Sequence, residues 1–272
     1  MKKYLKTILA TATTVACLST PIQAHRLWLL PSTFTLSGDT QWVTVDGAIS
    51  NDLFFPNHVA MSLSDIHITA PDGSKAALQN GAEGKFRATF DIELDKQGTY
   101  RLAELGATYF ARWQENGEPK RTRASLDWLI EQGITKKDSV KLMKAARRVE
   151  TFVTLGAPSD VSANATGQGI ELIPVTHPND IYVDEAATFK FEIDGKPASD
   201  LQVTVIKGHD RYRDNSNEMQ FTTDANGAIS FTLPEAGRYW FSTSTTRGKT
   251  EEKGITMARR VAYTLTIEAL AN

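Results

Sequence analysis

Phe86-Arg87-Ala88-Thr89-Phe90-Asp91-Ile92-Glu93-Leu94 alternates apolar and polar residues over its whole length. A period of two marks a strand with one face buried and the other in water. Asp95-Lys96-Gln97-Gly98 then turns the chain into Thr99-Tyr100-Arg101-Leu102. Short alternating strands joined by Gly/Asp turns predict a β-sandwich, and Gly98-Thr99-Tyr100-Arg101-Leu102 has the form of a late sandwich strand. Upstream, Trp42-Val43-Thr44-Val45 is rich in strand formers. Ile66-His67-Ile68-Thr69 alternates into the turn Ala70-Pro71-Asp72-Gly73-Ser74.

The same grammar returns downstream. Ala187 to Ile193 alternates into the turn Asp194-Gly195-Lys196-Pro197, and Leu201 to Ile206 alternates again. Asp224-Ala225-Asn226-Gly227 leads into Ala228 to Leu233, then Gly237-Arg238-Tyr239-Trp240-Phe241, and Val261 to Ile267 closes the pattern. The expected fold is all-β: two sandwiches, the second of immunoglobulin or transthyretin type. Residues 25–155 form the first and 169–272 the second, with the polar run 156–169 as linker. One stretch breaks the pattern. Leu126, Leu129 and Ile130, then Val140, Leu142, Met143 and Ala146, recur at helical spacing on either side of Gly133. They predict a short helical insertion around 125–148, with Lys136, Lys137, Lys141, Lys144, Arg147 and Arg148 on a solvated face.

Residues 1–24 read as a signal peptide: Lys2, Lys3 and Lys6, then an apolar run from Thr7 to Leu18 too short to span a bilayer, then Pro21 and a small residue at Ala24. Cleavage after Ala24 makes His25 the mature terminus. Lipoprotein processing at Cys17 is the rival, though Thr14-Val15-Ala16 fits that pattern poorly. Loss of the leader removes the sole cysteine, and with it any disulfide or thiolate metal site. It also removes three lysines, moving the formal net charge from −2 to −5. That balance argues against nucleic-acid or anionic-lipid partners. No later apolar run reaches membrane-spanning length, so the expectation is a periplasmic protein without a membrane span.

A mature terminal His25 offers its α-amine and its imidazole together, and an α-amine gives up its proton far more readily than a lysine. His177 lies between Thr176 and Pro178 near the expected domain junction. The proline restricts its backbone to extended conformations, which aims the ring. The competing role is a turn residue. His58 follows the aromatic loop Phe54-Phe55-Pro56-Asn57; the alternative is an ordinary exposed loop histidine. His67 should face solvent from its strand, and His209 sits in a charged loop. None of the five histidines forms a close pair in sequence, so any site must be assembled by the fold. Glu150 and Glu171 are available acids that nothing pairs. No nucleophile elbow, phosphate-cradling glycine loop or His-Glu-x-x-His is present, so no enzyme is expected. The five tryptophans read as core residues rather than carbohydrate platforms.

Three stretches carry a family resemblance: His25-Arg26-Leu27-Trp28-Leu29-Leu30-Pro31; Glu171-Leu172-Ile173-Pro174-Val175-Thr176-His177-Pro178-Asn179-Asp180; and the block from Asp194-Gly195-Lys196-Pro197 to Gly237-Arg238-Tyr239-Trp240. In these the chain resembles an exported family of unknown function associated with the periplasmic side of nickel or cobalt transport. The resemblance implies a two-part β protein linked to metal uptake. It departs at Tyr239-Trp240-Phe241-Ser242, where some members carry a histidine after the aromatic strand, and this leaves copper, iron or a metal chelate open. The function expected is a transition-metal-binding accessory protein holding Ni, Co, Cu or Zn through His25, His177 and His58. Its partner would be a membrane metal transporter or outer-membrane receptor. The alternatives are a metal-independent Ig-like module recognising a carbohydrate, chelate or receptor, and a copper oxygenase with an N-terminal histidine brace.

Overall fold

The computed structural model describes residues 25–162, 165–209, 211 and 213–272. The signal peptide expected at 1–24, and its cleavage site, lie outside the described residues.

Ala88–Leu94 is a strand with alternating burial, and it pairs antiparallel with Gln41–Ser50. Gln41–Ser50 is the centre of a five-stranded sheet, flanked on its other side by Arg26–Pro31. The turn at 95–98 is fixed by Tyr100. Its hydroxyl accepts from the Asp95 and Lys96 amides at 3.1 and 2.9 Å and donates to the Asp95 carboxylate. Gly98 has φ +122°, and a Cβ there would meet Pro71 and Ser159 at 2.8 Å, so this corner requires glycine. In the second half Tyr239 likewise donates back to the Glu235 carbonyl at 2.8 Å. Each half thus carries the tyrosine-to-backbone corner common in sandwiches.

The second layer is a ten-stranded sheet that runs through both halves. At its middle, Lys141–Leu155 pairs antiparallel with Gly98–Glu115 and parallel with Ile255–Ala269. Its side chains alternate between two cores. Val149, Val153 and Leu155 join Leu29, Phe90 and Tyr100. Phe152 faces the other way, among Phe189, Phe191, Phe241 and Tyr263. A four-stranded sheet centred on Ala186–Ile193 covers that second core. The two sandwiches therefore share one continuous sheet. The all-β expectation holds, and Ig-like sandwich architecture is evident in both halves.

The helical insertion is shorter than expected. Leu126–Glu131 is a helix capped by Ser125, whose Oγ accepts from the Trp128 amide, and Ile134–Lys136 adds one 3-10 turn. Residues 141–148, expected to be helical, are strand. Lys141 to Leu155 pairs residue for residue with Arg112 to Gly98, and Leu142 packs against the small core of Ala111, Leu129 and Ile134. Neighbouring strands on both sides override the local helical spacing. The tryptophans divide: Trp28 and Trp240 are core, whereas Trp42 and Trp128 are exposed. Among the described residues no helix is long and apolar enough to cross a membrane.

Candidate functional site

Arg26 is opposite Ser50, and on the far side of the same strand Val59 is opposite Ile49. His25 and His58 therefore emerge at one end of Gln41–Ser50, from the strands on either side of it. Strand spacing puts those backbones about 10 Å apart, and the two side chains span the gap. Their imidazoles stack with centroids 3.8 Å apart and planes 10° from parallel. Both residues are exposed.

The loop that carries His58 is tied down. Trp28 Nε1 donates to Ser50 Oγ at 2.7 Å, and Ser50 Oγ donates to the Asp52 carbonyl at 2.6 Å. Asn57 closes the loop, accepting from the Asn51 amide and donating to the Asp52 carboxylate. Phe54 meets Trp28 edge-on at 5.8 Å, inside a small core of Trp28, Ala48, Leu53, Ile206 and Trp240. Trp240 Nε1 donates to the Leu27 carbonyl at 2.8 Å, pinning the first strand to the second half of the protein.

A second loop flanks the pair. Gly208 lies against Phe54, where a Cβ would sit 2.8 Å from the ring. The Arg211 guanidinium lies 3.9 Å over the Phe55 ring, and Arg26 faces Glu218 at 3.7 Å. Between Gly208 and Arg211, His209 is exposed with φ +63°. His67 is also exposed, on Ile66–Thr69.

The structure brings His25 and His58 together and holds His177 elsewhere. His177 Nδ1 accepts from the Asn179 amide at 3.1 Å, and Nε2 meets Thr99 Oγ1 at 2.9 Å. The first bond leaves the proton on Nε2. Asn179 continues the network, its Nδ2 contacting the Phe34 and Phe152 carbonyls and Thr154 Oγ1. His177 thus stands at the junction the sequence indicated, with both ring nitrogens engaged in a structural network. Burial pushes its pKa down from 6.5, with Asp180 and Asp160 opposing. The unfolded chain therefore takes up the proton first. Stability contributed by His177 should be complete above about pH 6.5 and fall as pH drops through the lower folded-state value. Urea unfolding at several pH values checks this, with His177→Gln expected to flatten the slope.

Two imidazole nitrogens suit Zn, Cu, Ni and Co, so the donor type fits a transition-metal cargo. Among the described residues no group of three or more His, Cys, Asp and Glu is arranged around a common point. Lone pairs of stacked rings lie in parallel planes, so a shared ion needs one ring to turn about its side-chain bonds. Glu150 and Glu171 are bridged by Arg148, at 3.1 and 3.2 Å. Sequence reading missed that link because its centre is an arginine taken for part of a solvated face.

Residues 22–247 match the family described as domain of unknown function (DUF4198), and the chain belongs to that family. No curated protein matches it in sequence. Solved structures it resembles include the D0-D1 domain of Intimin, with 12% identity, 89% of this chain and 97% of that one covered, and TM-score 0.23. The tandem V-type regions of VCBP3, a v-region-containing chitin binding protein, give 10% identity, 88% and 98% coverage, and TM-score 0.21. The ICAM-5 D1-D4 ectodomain fragment gives 8% identity, 91% and 51% coverage, and TM-score 0.19. Scores this low carry no argument about function.

Proposed function

We propose that this is an exported, periplasmic accessory protein that holds a transition-metal ion at His25 and His58 on behalf of a metal-uptake system. The stacked His25–His58 pair carries the reading. These residues are 33 positions apart and are assembled by strand register. Support also comes from the tied loop beneath His58 and from the docked first strand, which hold both backbones still. With the leader cut after Ala24, the His25 amine adds a third nitrogen. Nitrogen donors without thiolate suit Cu(II), Ni(II), Co(II) or Zn(II). His177 acts in the junction network and not as a ligand.

Competition titration with Cu(II) and Ni(II) tests this. His58→Ala, and a mature form extended by one alanine before His25, should each bind at least about tenfold more weakly. Unchanged affinity in the extended form would remove the amine from the ligand set. Unchanged affinity in His58→Ala would overturn the site.

A further inference from the structure

Glu118–Ala124 is an edge strand. It pairs with Gly98–Glu115 and, among the described residues, with no other strand. The two-residue turn Asn116-Gly117 joins them, with φ +53° and +81°, and the register closes on Glu115 opposite Glu118. A turn of this kind makes its closing pair exchange both backbone hydrogen bonds. Alternation then turns the N–H and C=O groups of Lys120 and Thr122 inward, and those of Arg121 and Arg123 outward to the open edge. Pro119, with no N–H to offer, falls in the outward set, where an edge strand tolerates proline.

The same two arginines begin a row of cations. Arg121 is directly opposite Arg112, and Arg112 is directly opposite Lys141 on the next strand. Residues in register share a face, so these three stand side by side at intervals of about 4.8 Å, with Arg123 two positions along. All four are exposed, and among the described residues none makes an ion pair. The carboxylates of this end lie on the other face: Glu115 with Lys137, and Glu252 with Lys144 and Tyr109. That face also carries the packed Ala111, Trp113 and Leu142. Glu251 reaches the cation face only from the far strand of the next hairpin, opposite Thr256. Like charges directly opposite destabilise a sheet. The Arg121–Arg112 pair is of the non-hydrogen-bonded kind, in which side chains approach more closely. Cations on an edge deter self-pairing, which accounts for Arg121 and Arg123. It does not account for Arg112, one strand in.

We propose that this edge receives an acidic, extended segment of a partner protein as an added strand. Hydrogen bonds to the outward N–H and C=O groups of Arg121 and Arg123 supply the pairing. Carboxylates two residues apart on the added strand meet the two guanidinium groups and relieve the repulsion along the row. A second copy of this chain pairing edge to edge would set arginines against arginines, so the partner is a different, acidic sequence.

The test titrates metal-free mature protein with a labelled peptide of alternating Glu and Thr, about eight residues long, followed by anisotropy and amide NMR. It is independent of the histidine site. The dissociation constant should lie below about 1 mM at low salt and weaken severalfold at about 0.3 M salt. Hydrogen exchange at the Arg121 and Arg123 amides should slow on binding, while the Lys120 and Thr122 amides, already paired, change little. The double variant Arg121→Gln, Arg123→Gln alters only exposed side chains, so it should fold, and it should bind about tenfold more weakly. The same peptide N-methylated at alternate residues keeps its charge but cannot pair, and it should not bind. Equal binding by that peptide or by alginate, with no protection at Arg121 and Arg123, would assign the row to polyanions by charge alone and overturn strand addition. No binding of the plain peptide, or full affinity in the double variant, would overturn it as well.

Discussion

Glu150→Gln should lower folding stability by about 3–5 kcal/mol, the cost of leaving buried charge without its partner. Glu150 is fully buried. Its carboxylate meets Arg101 Nε at 2.9 Å and Arg148 Nη1 at 3.1 Å, and accepts from the Tyr263 hydroxyl at 2.6 Å. Burial pushes this carboxyl up, but Arg101, Arg148 and Tyr263 together outweigh it and hold the group below the ordinary value of 4.5. Burial and Glu150 in turn push the Tyr263 hydroxyl well above 10. Arg148 extends the network to Glu171, which accepts from the Thr166 and Gly167 amides at 3.0 and 2.6 Å. Removing that charge takes a shared carboxylate from the buried Arg101 and Arg148 guanidinium groups and leaves Arg148 with Glu171. Because the folded pKa is depressed, this contribution is complete above about pH 4.5 and is lost as pH falls through the folded value. Urea midpoints of wild type and variant, at pH 7 and pH 4, measure it; the gap should narrow at the lower pH. A loss under about 1 kcal/mol at pH 7 would show that the arginines find water instead.

Trp28→Ala should cost about 3–5 kcal/mol and disturb the histidine pair as well. Trp28 is fully buried and supports three things: the Ser50 bond, the Phe54 ring and the small core shared with Ile206 and Trp240. Without the indole, Ser50 and Phe54 no longer fix the turn from Asn51 to His58. Support beneath a ligand commonly changes metal affinity by 10- to 100-fold, so about tenfold weaker binding should accompany the loss. Trp28→Phe keeps most of the packing and gives up the Ser50 bond, about 1 kcal/mol. Paired unfolding and metal titrations separate the two effects. A Trp28→Ala protein that is destabilised but binds metal normally would show that His58 is placed without this support.

The sandwich halves were legible because a half-buried strand writes a period of two into its own sequence, as Ala88–Leu94 does. Residues 141–148 misled because Leu142, Met143 and Ala146 mimic a helical stripe, whereas strands on both sides determine the outcome. The parallel pairing of Met143–Thr151 with Ala258–Thr266 joins segments over a hundred residues apart. Nothing local encodes it, so the shared sheet was invisible. His25 and His58 were each recognisable as candidates, but their contact depends on the register of three strands. His177 sits at the expected junction, yet its hydrogen bonds to Thr99 and Asn179 use the nitrogens a metal would need.

Nitrogen-15 NMR of the histidine rings in the unmodified mature protein, titrated with Zn(II), tests the metal site most directly. At one equivalent, the ring nitrogens of His25 and His58 should shift together while those of His177 stay in place. Shifts at His177 with His25 and His58 unmoved, or no shift at any of the three, would contradict the account.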